Sequence, residues 1–190
     1  IKLVLLDSHL YMQRDFNIAY GYMQQSKNLS ENMKDIGGVK SNSSIRNIVV
    51  VIGESANRDY MGAYGYERDN TPWMSKMSQM PNVVLFDKCY TSYRLTNKAL
   101  AYMLTDKSQY NDKDVFSALN IVDVFKAAGF QTYWISDQGN ISNFREIYNV
   151  IAQRADVAKF IEHGGDADLI DLLDIIDKDD KKVIFVHLQG

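Results

Sequence analysis

The stretch that most constrains this chain is Asn47-Ile48-Val49-Val50-Val51-Ile52-Gly53-Glu54-Ser55. Five apolar residues, 48 to 52, run unbroken into a glycine, and a carboxylate follows at once. A continuous β-branched run of this length reads as a strand buried on both faces, as in a parallel sheet covered by helices. Ligands of open α/β sheets bind at the carboxyl ends of the strands, which is where Glu54 stands. Gly53 lets the backbone turn sharply beside it. The competing reading of Glu54-Ser55 is structural, as the opening of the next helix, and position alone weighs the two equally.

Three more runs have strand character: Val83-Val84-Leu85-Phe86, Gln131-Thr132-Tyr133-Trp134-Ile135-Ser136 and Lys182-Val183-Ile184-Phe185-Val186-His187. Between them, apolar spacing and punctuation predict helices over 72–79, with Pro72 in the first turn, over 96–104, and over 116–128 with Gly129 as its stop. Residues 144–160 read as mostly helical with a break near Ala155. Residues 167–177 read as an amphipathic helix with Leu169, Ile170, Leu172, Leu173 and Ile176 inward. This alternation predicts an α/β fold, a largely parallel sheet flanked by helices on both faces.

A helix is expected over 7–35, packed on the protein or lying at a membrane interface, and a Gly/Ser/Asn connector over 36–45, which divides the chain into a juxtamembrane helix and linker, 1–45, and a main domain, 46–190. At 190 residues and 46% hydrophobic, the chain holds one sizeable core. The apolar opening at 1–6 and the strand-like run ending just before Gly190 both read as cut ends, so the sheet is expected to be incomplete in this chain. A net charge of −3 with mixed signs gives no sustained basic surface, and nucleic acid is not an expected partner. Cys89 is the only cysteine, which excludes an internal disulfide and a Cys-rich zinc site.

Two residues besides Glu54 stand where chemistry is expected. Thr96 opens the helix over 96–104, where free N–H groups and the positive dipole end stabilise phosphate or an anionic transition state. Its hydroxyl there is a candidate nucleophile activated by a metal ion; the spacing alone favours plain capping. His187 ends the last strand at the carboxyl edge, placed to meet substrate or metal, or else a neutral ring bonded to backbone. His163 lies in a Gly-rich turn and His9 has no partner signal. Asp177-Lys178-Asp179-Asp180 lacks the glycine and closing glutamate of a calcium loop. Asp168, Asp171 and Asp174 fall on the polar face of a helix. No phosphate-binding glycine loop, dinucleotide fingerprint or Gly-x-Ser-x-Gly elbow is present.

Taken together, Gly53-Glu54-Ser55-Ala56-Asn57-Arg58, then Tyr64-Gly65-Tyr66, then Thr71-Pro72 resemble the start of the phosphoethanolamine transferases. These are membrane-anchored enzymes of the alkaline phosphatase and sulfatase superfamily. Thr96 to Thr105, with Met103 seven residues after Thr96, is similar to that family's nucleophile helix. The resemblance implies that Glu54 is a metal ligand, and that Thr96 is both ligand and nucleophile, forming a covalent phospho-enzyme. It implies zinc, with manganese as the alternative metal. It implies phosphatidylethanolamine as donor and lipid A or a lipopolysaccharide core sugar as acceptor. The implied location is the inner membrane, anchored by a segment outside this chain, with the soluble domain facing the periplasm. Asn97, Gln138 (in the loop after its strand) and His187 (at the carboxyl edge) are the candidate substrate-binding residues.

Sulfatases oxidise a Cys or Ser in a Cys-x-Pro-x-Arg setting, whereas Ala99 and Leu100 follow Thr96 without Pro or Arg. Ser136-Asp137-Gln138-Gly139 mimics the family's metal-binding Ser-Asp-His-Gly but falls too early and carries Gln where His is needed. With the other ligands missing, the expectation is that these 190 residues alone are inactive and hold metal poorly. Two other functions compete: glycerol-phosphate transfer by the same superfamily, and a non-catalytic envelope binding module that kept the fold.

Overall fold

In a computed structural model the protein is described over residues 39–115, 117–138, 146–161, 164–177 and 181–190. The helix expected over 7–35, most of the 1–45 segment, His9, His163 and the acidic residues 179 and 180 lie outside the described residues. Four strands, β1 (Asn47–Ile52), β2 (Gln131–Ser136), β3 (Val157–Phe160) and β4 (Lys182–His187), form one parallel sheet in the order β1-β4-β2-β3. β4 sits between β1 and β2, in register with both, so Ile52, His187 and Ser136 share one line at the carboxyl edge. The α/β fold with a parallel sheet is as expected.

Four α-helices are described: α1 (Pro72–Met77), α2 (Thr96–Leu104), α3 (Ile121–Ala127) and α4 (Ile147–Ala152). One face of the sheet, through Ile52, Trp134, Val183 and Phe185, packs on Leu100 and Leu104 of α2, Val122 of α3 and Val150 and Ile151 of α4. Trp134 stacks on Phe185 at 5.3 Å, and both are fully buried. The other face, with Tyr133, Ile135 and Ile184, meets Leu172 and Ile176.

α3 shows how closely local chemistry sets an element. Asn120 Oδ1 accepts the Asp123 N–H at 3.0 Å, which caps the start and places it at Ile121 rather than at 116 as expected. At the other end Gly129 adopts φ +81°, Gly129 N bonds Lys126 O, and Phe130 N bonds Phe125 O. Phe125 and Phe130 then meet edge to face at 5.5 Å, completing a Schellman stop with its apolar contact.

Four expectations need correction. Residues 83–86 form no strand; Val84 and Phe86 are exposed, and the Phe86 carbonyl accepts a hydrogen bond from the Tyr64 hydroxyl. The helix expected over 144–160 is α4 followed by β3. Asp156 ends it by accepting the N–H and hydroxyl of Thr132 at 2.9 and 2.8 Å, and Lys126 adds an ion pair at 2.8 Å. That anchor delivers Val157 to Tyr133 for pairing.

Residues 167–177 form two short 3₁₀ turns, Asp166–Leu169 and Asp171–Ile175, in place of one helix. Leu169 is buried, but Ile170 and Leu173 face outward. Finally, β1 is not buried on both faces. It is the edge strand of the described sheet, and Val49 and Val51 are 59% and 60% exposed.

Candidate active site

The site is built where β1 and α2 end against each other. Past Ile52 the chain turns through Gly53 and Glu54 to Ser55, whose φ of 48° is the one left-handed non-glycine conformation among the described residues. Such a backbone costs about 1 kcal/mol or more and clusters at functional sites. Here it turns the Ser55 N–H and Oγ back onto Glu54 Oε1, at 3.1 and 3.2 Å. Thr96 Oγ1 lies 2.8 Å from Glu54 Oε1 and 3.0 Å from Oε2, across 42 positions of sequence.

Thr96 is the first residue of α2, not its cap. Leu95 holds the cap position and offers no side-chain hydrogen bond. Plain capping therefore does not account for Thr96, whose hydroxyl is spent on the carboxylate. The first helical backbone bond runs from Ala99 N to Leu95 O, which leaves the N–H groups of Thr96, Asn97 and Lys98 outside the helical ladder.

Gln138 holds the other side of the carboxylate. Its Nε2 donates to Glu54 Oε2 at 3.1 Å and to Leu188 O at 2.8 Å, tying the exits of β1, β2 and β4 together. Burial pushes the Glu54 carboxyl up, but hydrogen bonds from Gln138, Thr96 and Ser55 outweigh it and hold the group below its ordinary value. From below, Gly190 passes so close that a Cβ there would lie 3.2 Å from Glu54 Cβ. Asp166 fixes that backbone by accepting the Gln189 N–H at 2.6 Å and the Gly190 N–H at 3.2 Å.

His187 is held differently. It is fully buried, with Tyr148 edge-on at 5.0 Å and Trp134 at 6.0 Å. Ser136 Oγ donates its one proton to Gln138 O (2.8 Å) and accepts the Gln138 N–H (2.9 Å), so the remaining contact, 3.3 Å to His187 Nδ1, assigns that nitrogen as the donor. Nε2 is left as a bare, buried acceptor with no partner among the described residues. Burial drives the imidazole down to about 4, against the opposing pull of Glu54 and Asp166, so it is neutral at pH 7. Burial also raises the Tyr148 hydroxyl to about 12.

A cavity of about 780 Å³ opens over the Glu54–Thr96 pair, walled by Arg58, Tyr90, Arg94 and Met103. Arg58 rests its guanidinium 5.6 Å from the Tyr90 ring centre. Asn97, Gln138 and His187 do not line it: Gln138 supports Glu54, His187 is sealed beneath Tyr148, and Asn97 Oδ1 accepts the Ile147 N–H at 2.6 Å.

The sulfatase family profile matches residues 46–190. The chain belongs to the sulfatase family. Within it, a putative phosphoethanolamine transferase of Haemophilus influenzae is 34% identical over 146 residues, 75% of this chain and 28% of that protein. The phosphoethanolamine transferase OpgE of Escherichia coli K12 is 34% identical over 145 residues, 70% of this chain and 25% of that protein. Among solved structures, the C-terminal periplasmic domain of EcEptC from Escherichia coli in complex with Zn superposes with a TM-score of 0.71 at 27% identity, covering 78% of this chain and 44% of that one. This sulfatase-family chain thus spans under a third of the length of those two curated relatives.

The donor chemistry fits a divalent ion in part. A carboxylate and a hydroxyl converge, and both suit zinc or a harder cation. Among the described residues no group of three His, Cys, Asp or Glu side chains assembles to complete a site. Three contributors escaped sequence reasoning: Tyr148 over His187, Asp166 beneath the 189–190 backbone, and the left-handed Ser55. Tyr148 and Asp166 act through tertiary contact that no local pattern marks. Ser55 acts on its neighbour Glu54, and only its left-handed backbone was not legible in the motif.

Proposed function

We propose that this chain carries the nucleophile of a metal-dependent phosphoethanolamine transferase that uses phosphatidylethanolamine and modifies lipid A or a lipopolysaccharide core sugar. Thr96 Oγ1 attacks the donor phosphorus, the bond from phosphorus to the diacylglycerol oxygen breaks, and diacylglycerol leaves with a proton. Phosphoethanolamine then rests on Thr96 until an acceptor oxygen displaces it and the threonine hydroxyl is restored.

The observation that carries this reading is the 2.8 Å contact of Thr96 Oγ1 with the Glu54 carboxylate at the mouth of the cavity. The carboxylate aims the hydroxyl and takes up its hydrogen bond. The open N–H groups of the first turn of α2 face charge that develops on the phosphoryl oxygens. A zinc or manganese ion held by Glu54 and Thr96 would supply the positive charge that favours the deprotonated hydroxyl. The names of the relatives support phosphoethanolamine as the group moved, and the likeness to the C-terminal periplasmic domain of EcEptC supports a domain working in the periplasm; the inner membrane is the anchorage proposed with it. Thr96 without the Pro and Arg of sulfatases argues against sulfate-ester chemistry.

The test uses the full-length enzyme with phosphatidylethanolamine labelled in its headgroup. Label is expected on the Thr96 peptide of the wild type, and Thr96→Ala abolishes both label and transfer while the protein stays folded. Turnover unchanged in Thr96→Ala would sink the assignment. In a parallel incubation with headgroup-labelled phosphatidylglycerol, label on Thr96 from that donor instead would identify the glycerol-phosphate reaction.

A further inference from the structure

We propose that Asn97 is a positioning residue for the Thr96 hydroxyl, acting by capping α4 from the first turn of α2; the proposal rests on Thr96 being the nucleophile. α4 is short and wholly buried, from Ile147 to Ala152. Its cap residue, Glu146, makes no side-chain hydrogen bond to the helix. The Ile147 N–H precedes the helical ladder and, so deep in the protein, needs a partner from elsewhere. Asn97 Oδ1 is that partner at 2.6 Å, reaching across 50 positions of sequence.

The consequence for Thr96 follows from the shared backbone. Thr96 and Asn97 are the first two residues of α2 and point about 100° apart around its axis. A rotation or slide of the helix start that moves Thr96 Oγ1 off Glu54 also pulls Asn97 off Ile147. One side chain is held by β1 through Glu54, the other by α4, and together they fix the helix start in two directions. Leu100 and Leu104 pack α2 in the same core cluster as Val150 and Ile151 of α4, so the polar tie sits at the end of a continuous apolar contact.

α4 also carries Tyr148, the residue that covers His187. The Asn97 bond therefore links the nucleophile's helix to the end of β4. It is not a substrate contact: its acceptor oxygen is occupied and the side chain does not line the cavity.

The experiment compares Asn97→Ala and Asn97→Asp with the wild type in the full-length enzyme, with Thr96→Ala run alongside. Aspartate keeps the acceptor and places its charge favourably at a helix start. Asn97→Ala is expected to lower kcat about tenfold with KM for phosphatidylethanolamine unchanged, and to speed amide exchange at Ile147 by a similar factor, as loss of one cap bond does. Asn97→Asp should restore both to within about threefold. A raised KM with kcat intact would make Asn97 a substrate contact and overturn the proposal. Ile147 exchange unmoved by Asn97→Ala would overturn it too. If Asn97→Ala does not fold, Asn97→Asp decides: kcat and Ile147 exchange within about threefold of wild type support the cap, and a loss of kcat of about tenfold or more in a folded Asn97→Asp overturns it. Full turnover by Thr96→Ala would instead bring down the nucleophile reading, while Ile147 exchange still reports whether Asn97 caps α4.

Discussion

β1 and β4 are adjacent, parallel and similar as sequences, Asn-Ile-Val-Val-Val-Ile against Lys-Val-Ile-Phe-Val-His, yet the protein uses them in opposite ways. β4 lies inside the sheet, with only Val186 not buried. β1 lies at the edge with alternate residues open, and Val49 and Val51 line a shallow apolar cavity of about 690 Å³ with Leu173 and Ile184. The candidate residue at the carboxyl end of each strand, Glu54 just past β1 and His187 closing β4, is held accordingly. Glu54 stands in partly exposed surroundings and is fixed by hydrogen bonds from Ser55, Thr96 and Gln138. His187 is fixed by burial against two aromatic rings and has one polar contact, from Nδ1. A carboxylate poised for chemistry is held by groups that a ligand is able to replace; the histidine is held by packing that no ligand displaces.

The largest expected effect tests the packed half. Phe185 is fully buried, stacked on Trp134 and edge-on to Phe125 at 6.3 Å. Phe185→Ala should cost about 3–5 kcal/mol, read as a lower urea midpoint for this chain. A loss below about 1 kcal/mol would mean that β4 is not the load-carrying strand the burial describes.

Next comes acid, which probes how His187 is held. Its folded value is depressed to about 4 from an ordinary 6.5, so the unfolded chain binds the proton first. Stability is therefore full above pH 6.5 and falls as pH drops toward 4, by about 3 kcal/mol in all. His187→Phe should flatten that part of the profile. A nitrogen-15 spectrum at pH 7 should show a neutral ring protonated on Nδ1; protonation on Nε2 would undo the assignment of Ser136 as acceptor.

The half held by hydrogen bonds gives a smaller effect. Gln138→Leu removes the donor shared by Glu54 and Leu188. A loss of about 1–2 kcal/mol is expected, with the Glu54 carboxyl moving up toward its ordinary value in a carbon-13 titration. A carboxyl that stays where it was would show that Gln138 does not hold it.

The contrast between the strands also explains what was legible in the residues. β1, β2 and β4 announce themselves because a long apolar run has few places to go in a chain of this size. Val157-Ala158-Lys159-Phe160 has no such run; it becomes β3 because Asp156 is anchored on Thr132 and β2 offers an edge. Which strand is the edge is not written in β1 at all, since its composition is that of a buried strand. At the site, Glu54 and Thr96 stand out by position, at a strand end and a helix start, the family resemblance decides between chemistry and capping, and the fold brings them to 2.8 Å. Asn97 and Gln138 are substrate-binding candidates in the sequence, but their contacts in the fold are with Ile147 and Leu188, 50 residues away in sequence in each case. Tertiary partners at that distance leave no periodicity to read.

The smallest expected effect falls on the open strand. Val51 projects from the face of β1 opposite the helices and is 60% exposed, so Val51→Ala removes methyl groups that already meet solvent. A change within about 0.5 kcal/mol is expected for this chain in the same urea experiment. The value matters because Val51 and Val186 are register partners on neighbouring strands, and a cover over one would cover the other. A loss above about 1.5 kcal/mol would mean that this face is packed in solution. Glu54 would then stand beyond a buried strand, and its reliance on Gln138, Thr96 and Ser55 would no longer distinguish it from His187.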